Sequence, residues 1–204
     1  MAYPWQESQQ AYREAAAWFQ TVLAEVNGRW GEPGLGEWDI RSLVGHTSRS
    51  LLTVEAYLKQ PAAAVMVGSP VAYYLATHDI SAGAGVAQRG RDAGQALGGD
   101  PEGAVARIAA RVLALTDGLT GSELLTTIVG GMRLADYLPT RVLELTVHTA
   151  DLATALSLPV KPPALPASLT LTLLCDLAVA RDEAGPLLLA ATGRGHLPEG
   201  YSVL

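Results

Sequence analysis

Three features of this 204-residue chain predict an all-α fold, a helix bundle with one long crossover connection. The chain is 49% hydrophobic with a single Phe, and most of that content is Ala, Leu and Val, of which Ala and Leu are strong helix formers. Apolar residues recur at helical spacing in several long segments. Two of those segments begin behind a good capping residue, Asp39 and Asp100. A chain of this length can bury one sizeable core. The expected division is a bundle over residues 1–185 and a short tail over 186–204.

The first helix is read over residues 5–27, where Tyr12, Ala15, Ala16, Phe19, Val22, Leu23 and Val26 share a face and Asn27-Gly28 stops the run. GRWGEPGLGEW, residues 28–38, is a Gly-rich loop that Trp30 and Trp38 pin to the core. Asp39 caps a second helix over about 40–59, with Ile40, Leu43, Val44, Thr47, Leu51, Val54 and Leu58 as its seam and Pro61 past its end. Residues 61–100 are a long, weakly patterned connection. Tyr73, Tyr74 and Leu75 suggest a short helical piece, and SAGAGVAQRGRDAGQALGG is too Gly-rich to assign. Its Gly83, Gly85, Gly90 and Gly94 follow no strand and are not a phosphate loop.

Asp100-Pro101-Glu102 starts a third helix, which runs to about Leu115 before Asp117-Gly118. LLTTIV before Gly130-Gly131 reads as extended. A fourth helix covers about 134–156. Pro159, Pro162, Pro163 and Pro166 form a stiff linker, and a fifth helix covers about 166–183 before Gly185-Pro186. The remaining tail adds at most a helical turn and an extended end. Four main helices with one long crossover make a bundle the economical architecture.

Composition removes several classes of function. Net charge is −6 and no basic run of five exists, which argues against nucleic acid and anionic membranes as partners. No signal-peptide pattern and no apolar stretch of about 18 residues is visible, so a soluble cytoplasmic protein is expected. Cys175 is the single cysteine, which excludes an intrachain disulfide. It lies in the apolar run LTLLCDLAV and reads as a small core residue.

The chemistry concentrates in RVLELTVHTAD, residues 141–151. At about 100° per residue, Arg141, Glu144, His148 and Asp151 fall within an arc of roughly 80°. Leu138, Val142, Leu145, Thr149, Leu152 and Leu156 form a neighbouring core stripe. Glu144 and His148, one turn apart, can reach one point, as two ligands of a metal on one helix must. A second histidine, His46, lies on the edge of the second helix's seam. Two His and one carboxylate from facing helices make a three-ligand site with one position left open. Zinc accepts such a set, and nickel and iron would too. Asp151 is placed either to orient a ligating His or to accept a substrate proton, and Arg141 either to hold a carboxylate substrate or to pair with Glu144. His78 and His196 read as surface residues.

WDIRSLVGHTSRSLLTVEAYL, followed a hundred residues on by RVLELTVHTADLATAL, resembles the DinB/YfiT-like metal-dependent superfamily. Within it the chain is similar to the N-terminal domain of actinobacterial mycothiol-dependent maleylpyruvate isomerase. The likeness extends over about residues 8–185 and is carried by the Gly45-His46 pair and the Glu144, His148, Asp151 spacing. It implies a DinB-like four-helix bundle and a divalent metal, usually zinc, held by His46, Glu144 and His148. It also implies a low-molecular-weight thiol such as mycothiol as cosubstrate and an electrophilic small molecule as its partner, in S-transfer or isomerisation. The full C-terminal domain of the isomerase has no counterpart after residue 185, which weakens the case for maleylpyruvate itself. Two other readings stand beside it: a hydrolase with zinc-bound water as nucleophile and Asp151 as base, and a non-catalytic metal- or ligand-binding bundle. Exposed bundle faces often pair, so the sequence allows a homodimer.

Overall fold

The computed structural model describes residues 3–81 and 85–204, with the side chains of 79–81 left aside. Gly83 of the Gly-rich stretch therefore lies outside the described residues. In chain order the elements are α1 (Trp5–Leu23), β1 (Pro33–Leu35), β2 (Trp38–Asp39), α2 (Ile40–Leu58), α3 (Pro70–Ser81), α4 (Gly85–Ala96) and α5 (Pro101–Asp117). These are followed by β3 (Leu124–Thr127), β4 (Gly130–Arg133), α6 (Leu134–Ala155), α7 (Ala164–Ala180) and α8 (Ala184–Ala191).

The fold is all-α. Helices α1, α2, α5 and α6 form the bundle, and α7 lies against α1 and α6. Helix α6 is the central one, since it packs on α1, α2, α3 and α7. Its stripe of Leu138, Val142, Leu145, Thr149, Leu152 and Leu156 is buried. So are the α1 face from Tyr12 to Leu23 and Val26 just past its end. The chain leaves α1 at Leu23, earlier than the apolar spacing suggests, because Glu25 and Val26 donate to carbonyls three residues back, and Asn27 and Gly28 then take left-handed conformations.

Two caps behave as their sequences dictate. Asp39 accepts from the Ser42 amide at the start of α2, and Asp100 accepts from the Gly103 amide at the start of α5. The loop before α2 is not wholly irregular. A short antiparallel pairing of β1 and β2 delivers Trp38 to the core. The predicted extended run is a hairpin, in which β3 pairs β4 and buries Leu125 opposite Met132.

The connection after α2 carries two helices, α3 and α4, where the sequence gives little periodicity. The glycines of α4 explain why. A Cβ on Gly45 of α2 would lie 2.1 Å from the Gly94 amide nitrogen, and one on Gly90 would lie 2.5 Å from the Trp38 ring. Gly90 and Gly94 are one turn apart: Gly94 lets the α4 backbone touch that of α2, and Gly90 makes room for the Trp38 ring. Arg41 then donates to the Gly94 carbonyl and, further along, to that of Gly98, which ties the C-terminal end of α4 to the start of α2.

Cys175 is exposed, contrary to the core reading. Leu173 and Leu177 on either side of it turn inward, which leaves Cys175 on the opposite face. Helix α7 is apolar on nearly every face, so periodicity could not tell the inner one from the outer. The end of the chain folds back, with Val203 buried in a small cluster with Leu143, Leu173 and Leu177. Among the described residues no helix is long and apolar enough to cross a membrane.

If the α2–α4 contact holds the crossover in place, Gly45→Ala should lower unfolding stability by about 3 kcal/mol in urea titrations. Gly118→Ala, with open space around the added methyl, should change it by less than about 0.5 kcal/mol.

Candidate metal centre

The site forms where α2 crosses α6. Two tyrosine hydroxyls fix α2 against its neighbours. Tyr12 of α1 donates to the Ser50 carbonyl at 3.0 Å, and Tyr137 of α6 donates to Thr53 Oγ1 at 3.0 Å. With α2 held this way, the ring of His46 meets that of His148 edge-on, at 4.7 Å between centroids and 87° between planes. On its other side His46 packs against Trp38, 4.4 Å away. The Trp38 indole in turn donates to the Ala87 carbonyl at 2.9 Å, so α4 supports the histidine indirectly.

On α6, His148 Nε2 is 3.3 Å from Glu144 Oε2, and His148 Nδ1 is 3.0 Å from Asp151 Oδ2. An ionised carboxylate only accepts, so Asp151 fixes the proton on Nδ1. Nε2 is thereby the nitrogen directed to Glu144. One ligand atom each from His46, Glu144 and His148 lies within 4.8 Å of the other two. The structure thus brings together the three residues singled out from the sequence, with Asp151 one hydrogen bond behind them.

Arg141 sits differently. It is only 8% exposed. Its guanidinium lies over the rings of Tyr137, at 4.8 Å, and Tyr73, at 5.5 Å, and its Nε donates to Thr140 Oγ1. It is a fixed positive charge within the bundle. Tyr74 of α3 completes the surroundings, with its hydroxyl 2.9 Å from Glu144 Oε1. His78, half-buried in the last turn of α3, and the exposed His196 are not among the three clustered donors.

Charge and burial compete at each group. Burial alone would raise the Glu144 pKa, but the hydrogen bond with His148 and the nearby Arg141 outweigh it and hold the carboxyl at about 2. Burial would lower His148, yet the hydrogen bonds to Asp151 and Glu144 lift it to about 9. Burial, helped by the charge of His148, pushes His46 down to about 4.

A divalent cation fits this donor set. Glu144 is ionised and His46 is neutral at pH 7, as ligands must be. Among the described residues, His46 Nδ1 is buried with no hydrogen-bond partner, a cost that pairing would remove. His148 has its second nitrogen engaged by a carboxylate, the usual support of a ligating histidine. Its other proton must leave when metal binds. The site is also not sealed, since the side chains of His148 and Glu144 are 16% and 21% exposed. Two open clefts lie elsewhere, one of about 280 Å³ between α1 and α5 and one of about 200 Å³ between Tyr3 and α7.

Residues 12–153 match the mycothiol maleylpyruvate isomerase N-terminal domain family. The chain belongs to this family. His46, Glu144, His148 and Asp151 all fall within the match, and the fold is the DinB-like bundle that membership implies. No curated protein and no solved structure matches the chain.

The partners missed by sequence reasoning are Trp38, Tyr73 and Tyr74. The only available signal was the adjacent aromatic pair in an otherwise featureless crossover. In protein stripped of metal, an NMR titration should show His148 protonated up to about pH 9 and His46 neutral down to about pH 4. The raised pKa of His148 contributes stability that is full below about pH 6.5 and lost as pH rises through about 9. The depressed pKa of His46 acts oppositely, since stability present above about pH 6.5 is lost as pH falls towards 4. Both histidines titrating near 6.5 would contradict this electrostatic picture.

Proposed function

We propose that the chain is a divalent-metal-dependent enzyme of low-molecular-weight thiol chemistry, with His46, Glu144 and His148 holding the metal. The observation that carries the reading is the meeting of three donors of metal-ligating type, inside a family match, with solvent access left beside them. Zinc is the metal that best suits two imidazoles and one carboxylate, although nickel and iron tolerate them.

A zinc ion in this site would lower the pKa of a bound thiol and present it as a thiolate to an electrophilic carbon. One carboxylate against a dication leaves the centre net positive, which favours an anionic sulfur ligand over a third neutral one. The chain's own residues prepare this. Asp151 holds the His148 ring in the tautomer that frees Nε2. Arg141, caged by aromatic rings and largely buried, adds to the His148 hydrogen bond in keeping Glu144 ionised. Burial of His46 keeps its nitrogens neutral and available. The geometry thus favours an orienting role for Asp151 and a fixed-charge role for Arg141 over direct contact with substrate. Mycothiol is the thiol the family name suggests, and S-transfer or isomerisation of an electrophilic small molecule is the reaction class, in a cytoplasmic setting.

The test is elemental analysis of the purified protein alongside variants. We expect about one zinc per chain in the unmodified protein, retention of it in His78→Ala and its loss in His148→Ala. Equal zinc in both variants would remove the assignment. Turnover of an electrophile should require added thiol, and thiol-independent hydrolysis would move the chemistry to a zinc-bound water instead.

A further inference from the structure

The Glu144 carboxylate is divided between two neighbours. Oε2 faces His148 Nε2 at 3.3 Å. Oε1 accepts the Tyr74 hydroxyl at 2.9 Å. The same hydroxyl lies 3.1 Å from the Thr140 carbonyl, which stands one turn before Glu144 on α6. A phenol has one proton to give, so the two acceptors hold it between them and fix the ring against α6 from two sides. The preceding residue grips the same helix, since Tyr73 packs edge-on against Tyr74 at 5.6 Å and lies under the Arg141 guanidinium. Two adjacent residues of the crossover helix therefore engage both charged side chains of the first turns of the α6 stripe.

The geometry points to Tyr74 as a positioning residue that keeps Glu144 a one-oxygen ligand. The inference rests on the metal-site reading above. A carboxylate with both oxygens free can close on a metal through both and use up an extra coordination position. With Oε1 committed to Tyr74, Oε2 is the oxygen that faces His148, and the position that an exogenous thiol would need stays open. Tyr74 touches neither substrate nor metal in this scheme, and it acts through Glu144 alone. The device belongs to the crossover, so the segment with the weakest sequence pattern sets the coordination number of the site.

Cobalt substitution provides the test, because its visible absorption weakens as coordination rises above four. The probe is cobalt(II) alone, added to metal-stripped full-length protein, with zinc affinity measured by competition against a chelating dye. Tyr74→Phe keeps the ring and removes the hydroxyl. We expect it to fold, to lose at least half of the cobalt visible intensity, and to bind zinc about 10- to 100-fold more weakly. Tyr201→Phe, which removes a hydroxyl that donates to the Glu183 carbonyl away from the site, should change neither. Infrared difference spectra of the unmodified protein with and without zinc give a measurement independent of any variant. The widely split carboxylate stretches of one-oxygen binding are expected, and the narrow splitting of two-oxygen binding would overturn the proposal. Cobalt spectra and zinc affinity in Tyr74→Phe equal to those of the unmodified protein would also overturn it, with the metal site intact. Failure of the unmodified protein to take up either metal would overturn the metal-site reading, and this proposal with it.

Discussion

A carboxylate kept ionised inside a helix bundle is the constraint on which the rest of this structure turns. Removing a carboxylate from water costs several kcal/mol unless it is paired and hydrogen-bonded. Glu144 is largely buried, and three groups answer that cost: His148 one turn along, Tyr74 from the crossover, and the positive field of Arg141. Each answer imposes a further demand. Arg141 must itself be sheltered, and the rings of Tyr73 and Tyr137 do this. His148 must be oriented, and Asp151 does this. Tyr74 must be delivered, which requires α3 to lie against α6. The polar stripe of α6 thus draws its partners from α3 and from α6 itself, with His46 of α2 facing it.

The opposite wall of the site has a packing origin. His46 can approach α6 only if α2 is placed closely, and the backbone contact of Gly45 with Gly94 lets α4 press against α2 from behind. Trp38 fills the space between Gly90 and His46. Small residues on one side and a large ring on the other set the position of a single imidazole. The absence of side chains at Gly90 and Gly94 is therefore a site feature as much as a fold feature.

Local chemistry made much of this legible in the sequence. The caps at Asp39 and Asp100, the core stripe of α6 and the convergence of Glu144 with His148 depend on residues a few positions apart, where helix geometry alone decides. The pairing with His46 was read from its place on the edge of the α2 seam and supported by a family resemblance across about a hundred residues, and the family match upholds that resemblance. What was hidden depends on tertiary contact. Helix α4 looks like a linker because its glycines serve a neighbour. Cys175 looks buried because α7 is apolar on nearly every side. Tyr74 carries no motif, and its importance appears only when α3 is laid beside α6.

X-ray absorption at the zinc edge, recorded on the purified full-length protein before and after addition of a low-molecular-weight thiol, tests the account most directly. The account predicts two imidazole nitrogens, light-atom scattering from one carboxylate oxygen and one exchangeable ligand, and then a sulfur at about 2.3 Å once thiol is added. A shell of four protein ligands that thiol leaves unchanged, or no zinc uptake after reconstitution, would contradict it.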